Sequence, residues 1–230
     1  MTSSELMGNP VMIEIAGLPI TRTVVTTWVI MLILAAVSWA GTRRLRLQPG
    51  PWQTAFEGVV MSMENAIRAV LPEHTRQVLP LIATLWIYIL IANLASVIPN
   101  VRAPTNDLSQ TGALALLVFL AVPGYGIQAQ GLRRYLRHYL APNPLFLPFH
   151  VLGEITRTIA LTVRLAGNIL SLETAALLVL LVAGFLAPVP VLMLHIVEAV
   201  VQAYIFGMLA LIYVSGAIQT LQSKQSQTES

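Results

Sequence analysis

Six side chains near the C-terminal end of this 230-residue sequence have the types and spacing to handle ions. Arg164, Asn168 and Glu173 lie in one apolar stretch, and His195, Glu198 and Gln202 lie in the next. Arginine stays protonated under essentially all conditions, so Arg164 can attract or repel charge but cannot relay a proton. Glu173, His195 and Glu198 can exchange protons near neutral pH once burial and neighbours act on them. Asn168 and Gln202 can orient water or hold the guanidinium. Ionisable groups at this depth in an apolar segment are expensive and normally face protein or a water-filled cavity. The functional reading is an ion pathway. The plain alternative is a structural polar cluster that holds helices together.

Helical phase sharpens the pattern. At 100° per residue Arg164 and Asn168 share a face, whereas Glu173, nine residues after Arg164, points to the opposite side. Arg164 and Glu173 therefore cannot form a simple ion pair on one helix. His195, Glu198 and Gln202 form one stripe at i, i+3 and i+7. Paired antiparallel, the two segments set Arg164 opposite Gln202, Asn168 opposite Glu198 and Glu173 opposite His195. The spacing predicts a continuous polar seam, and a fixed positive charge kept apart from proton-exchanging groups suits two ion paths that must not meet.

Other chemistries lack their residues. The sequence has no Cys, which excludes a disulfide framework, a thiolate metal site and a cysteine nucleophile. It has no H-E-x-x-H and no G-x-S-x-G, and His195-x-x-Glu198 reverses the order used in helical di-metal sites. No metal and no cofactor are expected. Glu154 and Arg157, three residues apart, read as a pair at the cytoplasmic end of their helix.

The elements that must position these groups are membrane spans. Hydrophobic residues make up 56% of the sequence and charged residues 10%, too few charges for a soluble domain of this size. A net charge of only +3 argues against a nucleic-acid partner. The expected fold class is an all-α polytopic membrane protein of about five spans plus one interfacial helix, in a single membrane domain. The first span covers 23–40 and is followed by Arg43, Arg44 and Arg46, the order of a stop-transfer anchor and not of a signal peptide. Residues 52–71 carry apolar side chains at Phe56, Val59, Val60, Met63, Ile67 and Val70, the stripe of an amphipathic interfacial helix. The second and third spans are 78–98 and 111–129. Arg133, Arg134 and Arg137 then form a second basic cluster, so the positive-inside rule puts the N-terminus outside and the C-terminus in the cytoplasm. Segments 149–184 and 190–221 complete the chain. At 1.5 Å per residue they reach about 54 and 48 Å, longer than a hydrocarbon core of about 30 Å requires, which predicts a steeply tilted hairpin.

Three ordered motifs resemble one family, the a subunit of rotary F-type ATP synthases. Arg164-Leu-Ala-Gly-Asn168 followed by Glu173 is similar to the family's R-L-x-G-N signature with its later acidic residue. Pro104-Thr-Asn-Asp-Leu-Ser-Gln-Thr-Gly-Ala-Leu-Ala-Leu is similar to its P-T-x-D stretch, and Gln202-Ala-Tyr-Ile-Phe to its Q-A-[FY]-[IV]-F motif. The resemblance covers most of the chain, from Trp52 to Val214. Ala166, Arg157-Thr158 and the additional acidic Glu198 depart from the family's usual pattern.

The resemblance implies a stator subunit in a bacterial plasma (inner) membrane, not an enzyme by itself, which couples ion flow to ATP synthesis. Its implied partners are a rotating ring of c subunits, b-type peripheral stalk subunits, the lipid bilayer and protons. Arg164 matches the arginine that draws the ring's carboxylate past and separates two half-channels. Glu173 and His195 match the pair of the outer half-channel, Gln202 the glutamine beside the arginine, and Asn168 the signature asparagine. Glu198 joins them as an ion-pathway candidate. Sodium in place of protons, or a self-contained channel or transporter, are the alternative readings.

Overall fold

The computed structural model describes residues 11–15, 18–43, 50–95, 104–131, 152–153, 155–165, 167, 174, 178–179, 181 and 188–228. The chain is an all-α membrane bundle with one small addition. Strands β1 (Val11–Ile15) and β2 (Leu18–Thr21) pair antiparallel, with Ile13 opposite Ile20 and Ile15 opposite Leu18. This hairpin was not expected from the sequence. Its cue is a run of β-branched and apolar residues around Ala16-Gly17, too short to stand out beside the long apolar spans.

Helix α1 (Arg22–Thr42) buries the stripe Thr23, Thr27 and Ile30 and leaves Trp28, Leu32 and Trp39 uncovered. Only 11% of its span is enclosed by protein, against 44% for Thr75–Leu94, so α1 is peripheral and the latter helix is central. Helix α2 (Pro51–Val70) starts on Pro51, whose missing N–H is no loss in a first turn. The i, i+4 contacts Gln53–Glu57 at 2.7 Å and Glu64–Arg68 at 2.6 Å run along it. Ile67 is buried against the bundle, while Trp52, Phe56, Val59 and Val60 are exposed. One end of this amphipathic helix is thus docked and its other end offers an uncovered apolar face.

Helix α3 (Thr75–Leu94) buries Val78, Ile82, Leu85, Trp86, Ile89, Ala92 and Asn93, a 3.6-residue repeat that faces the other spans. A 3-10 turn at Pro104–Asn106 leads into α4 (Leu108–Gln130). Asp107 caps α4 by accepting from the Ser109 N–H at 2.9 Å, which gives the P-T-x-D stretch a structural role at this helix start. Thr105 is fully buried in that turn. Helix α4 continues through Pro123 and ends at Gly131, whose φ of +84° suits glycine and whose N–H reaches the Ile127 carbonyl at 2.7 Å.

Helical residues at 155–165 form α5, and Pro188–Thr228 forms α6. Half of the expected span 149–184, and the turn before α6, lie outside the described residues. Four helices among the described residues are long and apolar enough to cross a membrane: Thr23–Thr42, Thr75–Leu94, Leu108–Gln128 and Leu192–Ile218. The core joins α3, α4, α5 and α6 through Ile89, Ala115, Val118, Leu161, Leu165, Phe206 and Leu211.

Candidate ion-handling site

Helix α6 divides its two faces sharply. His195, Ala199, Gln202, Ala203 and Phe206 are buried, whereas Val197, Val200, Val201 and Tyr204 are exposed. The i, i+4, i+7, i+8, i+11 order of the first set is one helical stripe, so the histidine and the glutamine turn into protein together. Glu198 stands between the two faces, half-buried.

A second helix completes the cluster. Asn93 of α3, only 1% exposed, lines the same small cavity as His195, Glu198, Ala199 and Gln202. The cavity measures about 10 Å³, close to the volume that the centre of a single water occupies. Two amides, an imidazole and a carboxylate around such a space offer both donors and acceptors to a water or to a proton in transit. Sequence reasoning passed over Asn93. Its signal was present, as the one amide in the 78–98 apolar run, but only the packing of α3 on α6 places it beside His195.

Arg164 is placed differently. On α5, Leu161 and Leu165 are buried and Thr158 and Thr162 half-buried, while Ile159, Val163 and Arg164 are exposed. Arg164 makes no hydrogen bond, ion pair or ring contact with a described residue, and it does not line the cavity around Gln202. The Arg164 side chain is therefore exposed, on the same helical face of α5 as Arg157 seven residues earlier. Inward, α5 packs on α4, where a Cβ on Gly112 would sit 4.0 Å from Thr162 Cγ2.

Asn168 and Glu173 lie outside the described residues, as does Glu154. The structure thus brings His195, Glu198 and Gln202 together around a cavity that Arg164 does not line. One contact between α5 and α6 agrees with an antiparallel arrangement. The Arg157 guanidinium stacks over the Tyr213 ring, 4.9 Å from its centroid, within about one turn of the antiparallel register read from the seam.

These features define a polytopic membrane protein with polar and ionisable groups packed between its helices and an exposed arginine on a largely apolar span. The family model for the ATP synthase A chain matches residues 24–215. ATP synthase subunit a 2 of Pelobacter propionicus is 61% identical over 216 residues, covering 94% of this chain and 95% of the relative. ATP synthase subunit a 1 of Hahella chejuensis is 60% identical, covering 93% and 91%. ATP synthase subunit a of Legionella pneumophila is 55% identical, covering 94% of each. The chain belongs to the ATP synthase A chain family. It is an integral membrane component of that multi-subunit complex.

Proposed function

We propose that the chain is the stator-side ion carrier of an F-type ATP synthase, passing protons to and from a rotating ring of c subunits. The observation that carries this reading is the division between an exposed Arg164, with no partner among the described residues, and the Asn93–His195–Glu198–Gln202 cluster packed between α3 and α6. A permanent cation exposed on a largely apolar span calls for an anion to meet it there, and a mid-membrane carboxylate on a ring subunit is such an anion. The cluster offers exchangeable groups and space for water. It suits the role of one half-channel, with Glu173 expected to extend it and Asn168 to steady the arginine.

In this account Arg164 attracts the deprotonated carboxylate and blocks direct passage between the two half-channels. Protons reach the ring carboxylate from one side, ride with it, and leave on the other. The protein carries no ATP chemistry itself. The uncovered apolar end of α2 suits the cytoplasmic membrane surface or a b-type stalk subunit. The Arg43–Arg46 and Arg133–Arg137 clusters favour an outside N-terminus and a cytoplasmic C-terminus in a bacterial inner membrane.

The test is an Arg164→Ala complex in membrane vesicles. Assembly with a ring-forming hairpin protein that bears a mid-helix carboxylate is expected to persist, and ion-driven ATP synthesis to vanish. Near-normal synthesis would overturn the assignment.

A further inference from the structure

Trp86 of α3 is held against α6 in three ways. Its indole N–H donates to the Tyr204 carbonyl at 3.2 Å. Its ring stacks on the Tyr204 ring with centroids 6.1 Å apart and planes 8° from parallel. Beneath it lies Gly207, where an added Cβ would overlap the five-membered ring of the indole. Both Trp86 and Gly207 are buried, so the indole has no open space to swing into.

This contact lies two turns from the cavity. Asn93 follows Trp86 by seven residues on the same face of α3, about 10.5 Å along the axis. Tyr204 follows Gln202 by two residues on α6. Without it, the α3–α6 contact would be mostly apolar ridge against apolar ridge. In lipid such a contact has little hydrophobic force to hold its depth, and close approach at small residues decides the register. Slippage by one residue moves a helix by about 1.5 Å, enough to take Gln202 and His195 out of register with Asn93.

We propose that Trp86 and Gly207 form an interlock that sets the depth of α6 against α3, making Trp86 a positioning residue for the Asn93–His195–Gln202 cavity. The indole fills the notch left by the glycine, and its N–H fixes the axial position on the Tyr204 carbonyl. The proposal rests on the reading of that cavity as part of the ion path.

The register is read directly with Asn93→Cys and Gln202→Cys together, since the chain has no native cysteine, using a short bifunctional thiol reagent on the assembled complex in membranes. The pair is expected to cross-link efficiently. Adding Gly207→Ala is expected to lower the yield at least fivefold. Adding Trp86→Leu as well, which removes the atoms the new methyl meets but also the indole N–H, restores it in part. With native Asn93 and Gln202, Gly207→Ala is expected to reduce ion-driven ATP synthesis on the order of tenfold, since small misplacements of working groups are costly. The Trp86→Leu/Gly207→Ala pair recovers part of that rate. If Gly207→Ala does not accumulate, Trp86→Phe removes only the indole and its N–H, and a reduced cross-linking yield is expected from it. Unchanged cross-linking and synthesis in Gly207→Ala, a double variant no better than Gly207→Ala, or unchanged cross-linking in Trp86→Phe would overturn the interlock. Gln202→Leu in the same vesicles separates the two ideas. Full synthesis there would sink the ion-path reading, while the cross-linking yields still report on the interlock.

Discussion

Asn93 and Gln202, on two different membrane-crossing helices, line one small cavity with room for about a single water. Each is buried, with 1% and 2% of its surface exposed. Amides at such depth are there to meet polar partners, and His195 and Glu198 stand beside them. The cavity therefore links α3 to the stripe on α6 that the sequence marks as an ion path.

Asn93→Leu keeps roughly the same volume and removes both polar atoms. Ion-driven ATP synthesis is expected to fall on the order of tenfold with complex abundance unchanged, and Asn93→Leu/Gln202→Leu to fall less than the product of the single effects, because groups acting as a unit are not additive. Initial rates of ATP synthesis in inverted vesicles measure this. Strictly multiplicative losses would mean the two amides serve separate steps.

Glu198 differs from its neighbours in standing at the boundary between the buried and exposed faces of α6. Glu198→Gln is expected to slow ion transport severalfold, and Glu198→Asp to keep most of it, because a proton-exchanging carboxyl is retained. ATP-driven acidification of vesicles gives the rates. Equal rates for Glu198→Gln and the native protein would assign Glu198 to structure alone.

The hydrogen bond from Gln110 Nε2 to the Tyr88 hydroxyl, 2.8 Å long, ties α4 to α3, and neither residue lines the Asn93–Gln202 cavity. Tyr88→Phe is expected to destabilise the protein by only about 0.6 kcal/mol, the average for hydrogen bonds between membrane helices, with transport unchanged. Unfolding of the purified complex in detergent, compared with its transport rate, checks both halves. A loss of transport would show that this bond serves the ion path as well.

At the uncovered end of α2, Trp52 is 81% exposed. With Trp28, Trp39 and Trp86 replaced by Phe, the fluorescence of Trp52 is expected to be quenched by lipids brominated near the headgroup more than by lipids brominated near the chain ends. Absence of quenching by either would place that face on protein.

Much of this architecture was legible because charge is so rare in the chain. In long apolar runs a single Arg164, Glu198 or His195 stands out, and helical spacing alone brings His195 and Gln202 to one face. What escaped depends on contacts across the fold. Asn93 carries no charge and looks like an ordinary polar residue until α3 packs on α6. Gly207 reads as a tolerated helix glycine until the Trp86 indole is found in its place. Element ends shifted for local reasons. The third span begins at Leu108 and not at residue 111, because Asp107 caps the helix and polar Ser109 and Gln110 belong to its first turn. The hairpin of Val11–Ile15 and Leu18–Thr21 was hidden because strand alternation over so few residues is a weak signal beside helical spans.

The exposed position of Arg164 carries the central claim, that a fixed planar cation on α5 handles a carboxylate carried past it. Arg164→Lys keeps the charge and changes its form, since a lysine lacks the planar fork and gives up its proton more readily when buried. The decisive measurement is ATP synthesis by Arg164→Lys vesicles under an imposed ion gradient, with ATP hydrolysis measured alongside as the control for assembly. Synthesis at background level with hydrolysis retained is the predicted result, and synthesis near the native rate would contradict the account.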